Sequence, residues 1–219
     1  MKNTQLKEKP SMAKFRDMEL DVQKTFFESL TAVCYNASVH GGWHNDINTG
    51  ARRDFDQSDR MVPVRISLIH SELSEGLEGH RKSLQDDKLP QHSMLAVELA
   101  DAAIRIFDLA GCMELDLKDG LSVKMSLCYF LRTIDDKDMT PPDYIAVAHY
   151  YVSQAFFKWS ERNYREFSYN LSFAVQVIIQ AAERSNFALL DIMGEKMEFN
   201  LTRDDHKHAN RKAVGGKAF

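Results

Sequence analysis

Three glutamates stand in the stretch IHSELSEGLEGH: Glu72, Glu75 and Glu78, each three residues from the next. Side chains at that spacing share a helix face, and like charges there repel. A second stretch of helical period, SMLAVELADAAIRIFDLA, carries only four charged residues, Glu98, Asp101, Arg105 and Asp108. At about 100° per residue these fall within roughly 80° of one another, a narrow acidic stripe on an otherwise apolar helix. Side by side, two such helices offer four carboxylates, Glu72, Glu75, Glu98 and Asp101, between apolar walls. Unpaired charge is costly there. Magnesium takes oxygen ligands of this kind, often together with substrate phosphates. Such a group can polarise a phosphate and activate a water. The same residues also fit a plainer reading, two helices with solvated acidic edges. The E-x-x-E spacing recurs at Glu195 and Glu198, and Arg105 stands four residues from Asp101, where the two can pair.

The elements that must position these residues follow from periodicity and punctuation. Apolar positions at helical period predict seven helices, over 18–39, 63–84, 93–110, 121–134, 142–159, 164–184 and 188–201. Pro63 suits a first turn, and Gly111 reads as the glycine that closes a helix. No stretch alternates as a strand does. The expected fold is therefore all-α in one domain, with a loose start over 1–17, a polar loop after Gly41-Gly42 and a basic tail over 203–219.

The whole-chain totals narrow the class. The chain has 219 residues, a net charge of -4 and three well-separated cysteines, Cys34, Cys112 and Cys128. That balance argues against a nucleic-acid partner, which wants a basic face. The cysteines fit a reducing compartment. No apolar run reaches membrane-spanning length, so a cytoplasmic protein with no membrane partner is expected.

Glu72-x-x-Glu75, then 22 residues, then Glu98-x-x-Asp101 resembles the metal-binding signature of the all-α nucleoside triphosphate pyrophosphohydrolases, the MazG-like family. LIHSELSEGLEGHR and VELADAAIRIFDLAG look like its second and third helices. EKMEFNLTRDDHKHANRKAVGGKAF is similar to the closing segment of its phage-type members. The resemblance covers about a third of the chain, and residues 111–183 lie outside it. It implies a helical bundle with added helices, and hydrolysis between the α and β phosphates to a nucleoside monophosphate and pyrophosphate. Glu72, Glu75, Glu98 and Asp101 would hold Mg2+ or Mn2+, and Glu72 or Glu75 would also orient the attacking water. Lys196, Asn200 and Arg203, one helical turn apart, would meet the triphosphate. dGTP or dATP is the substrate that the phage relatives suggest, and such relatives form homo-oligomers, dimers or tetramers. In a phage-encoded protein the compartment would be the host cytoplasm.

Several residues carry two readings side by side. Trp43 in GGWHND offers a plane on which a base can stack, or it plugs the end of the bundle. Lys196 and Arg203 fit a phosphate site or an exposed basic helix end. Asp108 and Glu78 stand as second-rank metal candidates or solvent-facing carboxylates. His70 beside the acidic stripe is a ligand or an ordinary buried or surface histidine. The basic tail folds over phosphates as a lid, or frays. No Glu-x-x-His pair, His-Asp dipeptide or phosphate-binding glycine loop occurs, which sets aside di-iron bundles and the simplest alternative phosphohydrolases. The competing class is a non-catalytic helical interaction protein. In that class AVAHYYVSQAFFKW and LSFAVQVIIQ bury against a second subunit.

Overall fold

The structure, a computed structural model, describes residues 15–53, 61–122, 138–203 and 208–214. Among these residues every regular element is helical, so the all-α expectation holds. In chain order they are α1 (Leu20–His40), α2 (Met61–Lys82), α3 (Met94–Cys112), α4 (Pro141–Ser160), α5 (Tyr164–Ser185), α6 (Leu189–Thr202) and α7 (His208–Lys212). Short 3-10 turns stand at Phe15–Asp17 and Lys118–Ser122. The helix expected over 121–134 falls almost wholly outside the described residues. The tail contains α7, which is short and polar and has no period to read.

The core is built around α3, whose apolar sequence allows burial on nearly every side. α1, α2, α5 and α6 all pack on it. Phe27 of α1 meets Phe107 edge to face at 5.4 Å, a favoured arrangement of ring quadrupoles. Ser93 starts α3 by accepting a hydrogen bond from the Ala96 amide. α3 does not stop at Gly111. It runs on to Cys112, and a Cβ at Gly111 would lie 2.5 Å from the Tyr35 Cβ. That glycine serves close approach of α1 rather than helix termination.

Gly79 does the same between α2 and α3. Gly76 and Gly79 face α3, and a Cβ on Gly79 would come within 2.6 Å of the Met94 Cβ. The missing side chain at Gly79 lets the two acid-bearing helices approach closely, whereas a Cβ at Gly76 would make an ordinary contact. The turn between them is held by buried Asp86, which accepts from the amides of Lys88 and Leu89. Gln91 and His92 in that turn donate to Glu195 Oε2 at 2.7 and 2.9 Å. This contact ties α6 to the entrance of α3.

α4 and α5 form a pair joined by a tight turn in which Arg162 has φ 59° and Asn163 caps α5. α4 also packs on α2. There the Nδ1 atoms of His70 and His149 meet at 2.7 Å, and burial lowers the pKa of both. One imidazole donates and the other accepts, so His70 is occupied by a bond between helices.

Candidate functional site

Glu72 of α2 and Glu98 and Asp101 of α3 each bring one carboxylate oxygen into a group whose members lie within 4.8 Å of one another. Glu72 and Glu98 are buried, and Asp101 is half-buried. Helical spacing explains the pair on α3: residues three apart share a face. On α2 only one of the two expected glutamates enters. Glu75 is exposed, and its Oε1 accepts from the Ser71 hydroxyl at 2.9 Å. Three residues are about 300° of helix, so Glu75 points roughly 60° away from Glu72. Gly76, whose position faces the Glu98 side chain, shows that α3 lies on the other side of Glu72. The expected four-carboxylate group is therefore a group of three.

Cations hold two of the three. Arg105 places Nε 2.7 Å and Nη2 2.6 Å from Glu72 Oε1. Lys196 Nζ lies 2.7 Å from Asp101 Oδ2. Arg105 thus crosses to α2 instead of pairing with Asp101 on its own helix. Lys196 is only 2 % exposed. Burial alone would lower its pKa. The carboxylates of Asp101, Glu98 and Asp86 more than offset this and raise it. Lys196 therefore sits behind the acids instead of on an exposed helix end.

Among the described residues Glu98 has no cation of its own at such a distance. Burial pushes its pKa up to about 9, with help from a hydrogen bond to Glu72 and the charges of Asp101 and Glu72. Lys196 acts in the opposite direction. Three carboxylates at this spacing, once the Glu98 proton is released, are the oxygen donors a hard divalent cation takes.

A cleft of about 290 Å³ opens beside this group. Asp101 and Arg105 line it on one side, with Asn200 and Arg203 from the end of α6, Arg65 from α2 and Trp43 from the loop after α1. Arg203, Asn200 and Trp43, expected at a substrate site, thus share one cleft with a member of the carboxylate group. Lys196 does not line it. Arg203 lies over the Phe199 ring at 5.7 Å.

The Trp43 end is strongly organised. Asp108 is buried and accepts from Arg65 Nη1 at 2.6 Å and from His44 Nε2 at 2.7 Å. Arg65 Nη2 lies 3.2 Å from His44 Nδ1. Arginine only donates, so Nδ1 accepts and the His44 proton sits on Nε2. Asp108 is therefore neither solvent-facing nor near enough to the acidic group to join it. Sequence reading missed this arrangement, because it depends on how the 41–53 loop folds back on α3. Glu78, in contrast, pairs with Arg81 and Lys82 on the surface of α2, as a solvated carboxylate does.

The described part of the tail does not cover the carboxylates. Arg211 of α7 lies 4.1 Å from the Trp43 ring centroid and donates to the Gly42 carbonyl at 2.9 Å. Lys212 donates to the Asn48 carbonyl. One face of Trp43 is thus occupied by a guanidinium, while the residue also borders the cleft. Residues 204–207 and 215–219 lie outside the described set, as does the expected loose start up to residue 14. Elsewhere, burial pushes the Cys34 thiol up to about 12, which makes it a poor nucleophile. Among the described residues no helix is long and apolar enough to cross a membrane. Comparison with known protein families, curated proteins and solved structures finds no match for this chain.

Proposed function

We propose that this protein is a metal-dependent nucleoside triphosphate pyrophosphohydrolase, releasing a nucleoside monophosphate and pyrophosphate. The observation that carries the reading is the convergence of Glu72, Glu98 and Asp101 within 4.8 Å, with Asp101 also forming the wall of a cleft that holds Arg105, Arg203, Asn200 and Trp43. The MazG-like spacing of the two acidic pairs supports the same reading. Bound magnesium or manganese would supply Lewis acidity toward the phosphates and a lowered pKa for water. Glu72, Glu98 and Asp101 are the residues that would hold it. Lys196 holds the Asp101 carboxylate in place through their 2.7 Å ion pair. Arg203 and Asn200 meet the phosphate chain, and Trp43 borders the place for the base, with dGTP and dATP the first substrates to test. The water-orienting carboxylate is Glu72, inside the group, or Glu75, exposed one turn on.

A panel of ribo- and deoxynucleoside triphosphates with Mg2+ or Mn2+, with products resolved by chromatography, tests this. Monophosphate plus pyrophosphate is expected, lost in Asp101→Asn. Loss of turnover in Glu75→Gln with metal binding intact would assign the water to Glu75. Diphosphate plus orthophosphate would refute the bond assignment.

The competing reading is a helical interaction protein. It draws on the end of α4, where Phe156 and Phe157 are 39 % and 52 % exposed. Exposed aromatics of this kind are at home in interfaces. They equally fit a homo-oligomer of the enzyme. An intact triphosphate panel with Asp101→Asn behaving as wild type would favour the interaction protein.

A further inference from the structure

Three arginines line the cleft, and their partners differ. Arg65 is held by Asp108 and His44. Arg203 lies against Phe199. Arg105 is held by a member of the carboxylate group, with two of its nitrogens on the same oxygen of Glu72. A guanidinium paired with a carboxylate commonly spans both oxygens. Here one oxygen takes both donors. The Glu72 side chain is 9 % exposed and the Arg105 side chain 39 % exposed. The carboxylate is therefore fixed inside, and the arginine reaches it from the cleft.

We propose that Arg105 is an exchangeable cation: it neutralises Glu72 when the site is empty and moves to the substrate's phosphate chain when the site is loaded, so that metal and phosphate bind synergistically. The proposal rests on the metal-dependent reading above. Glu72 Oε1 with two N–H donors at 2.6 and 2.7 Å has no lone pair left to offer a cation. The ion and the arginine therefore compete for the charge of one carboxylate, and an ion that takes both its oxygens must displace the arginine. Once displaced, the guanidinium, 39 % exposed toward the cleft, is a positive charge beside an ion of the same sign, and an anion in the cleft relieves that repulsion better than water does. A phosphate oxygen pair matches its planar fork as a carboxylate does. Lys196 cannot make the same exchange, because its side chain is 3 % exposed and does not reach the cleft. The synergy thus belongs to Arg105.

The test is Mn2+ binding measured as loss of the free-ion electron paramagnetic resonance signal, with metal alone and with added inorganic phosphate. Wild type should bind Mn2+ more tightly when phosphate is present. Arg105→Gln removes the competitor, so it should bind Mn2+ alone about tenfold more tightly than wild type and show no phosphate enhancement, a free-energy difference of about 1.4 kcal/mol. Arg105→Lys, which keeps charge but not the fork, should fall between the two and guards against a folding defect in the glutamine variant. Equal or weaker Mn2+ binding by Arg105→Gln with the phosphate effect retained would overturn the exchange while leaving the metal site standing. Wild type that takes up no Mn2+ would overturn the metal reading itself, and the exchange with it.

Discussion

Glu98 is where the charge balance of the site is decided. Two of the three grouped carboxylates have a cation at ion-pair distance, and Glu98 instead keeps a proton. Its folded pKa, about 9, lies above the ordinary value of 4.5. Its protonated form therefore contributes stability that is complete below the unfolded pKa. That stability is lost progressively as pH rises through about 9. Each unit of such a shift corresponds to about 1.4 kcal/mol, so the loss for metal-free protein is on the order of a few kcal/mol. Glu98→Gln, a fixed mimic of the protonated acid, should flatten the profile and be the more stable protein at pH 8 in the presence of chelator. Thermal unfolding across pH 5 to 9 reads this directly, and parallel profiles for the two proteins would mean Glu98 is already ionised. At this scale the sequence was legible in part. Glu72, Glu98 and Asp101 were found because helical spacing states which residues share a face. Glu75 was misplaced because spacing alone does not say on which side of Glu72 the neighbouring helix lies. His44 and Asp108 were not paired, because they stand 64 residues apart and only the folded loop brings them together.

At the scale of elements, α2 carries two glycines toward α3, Gly76 and Gly79. Each costs about 1 kcal/mol relative to alanine inside a helix. Their surroundings differ. A Cβ at Gly79 would lie 2.6 Å from the Met94 Cβ, an atom rooted in the backbone. A Cβ at Gly76 would meet the Glu98 Cβ at 3.5 Å, an ordinary contact. Gly79→Ala should therefore push the helices apart, an overpacking cost of about 1–3 kcal/mol that exceeds the gain in helix propensity. Gly76→Ala should be neutral or stabilising by up to about 1 kcal/mol. Urea unfolding of both variants separates the outcomes, and equal effects would mean that α2 and α3 do not meet along this face. Six of the helices were legible within about two residues of their ends, because long amphipathic or apolar runs carry a strong period. Gly111 was misread as a stop for the reason that Gly79 was overlooked. A glycine needed for contact looks the same in sequence as one needed for a turn.

At the scale of the molecule, the chain's last described helix returns to the loop that follows its first. α7 has no amphipathic face to bury, so its docking depends on Arg211, which is 4 % exposed and lies against Trp43. The loop in turn carries His44 to Asp108 and so shapes the Trp43 end of the cleft, while the carboxylate group is set separately by α2, α3 and α6. The two ends of the cleft should therefore be separable. A partly buried cation–π contact is worth about 1–2 kcal/mol. Arg211→Ala should release α7 and loosen residues 41–53 by that order, without disturbing the acids. Hydrogen exchange should show faster exchange of the 41–53 amides and unchanged protection in α3. In a Trp159→Phe background, where Trp43 is the sole tryptophan, its emission should shift to the red. Mn2+ affinity should stay at the wild-type value, and nucleotide affinity should fall. Unchanged protection of residues 41–53 would mean that the loop holds itself and that α7 only rests on it. Lost Mn2+ binding would mean that the two ends of the cleft are coupled through Asp108 and α3, and that the tail reaches the acids by that route.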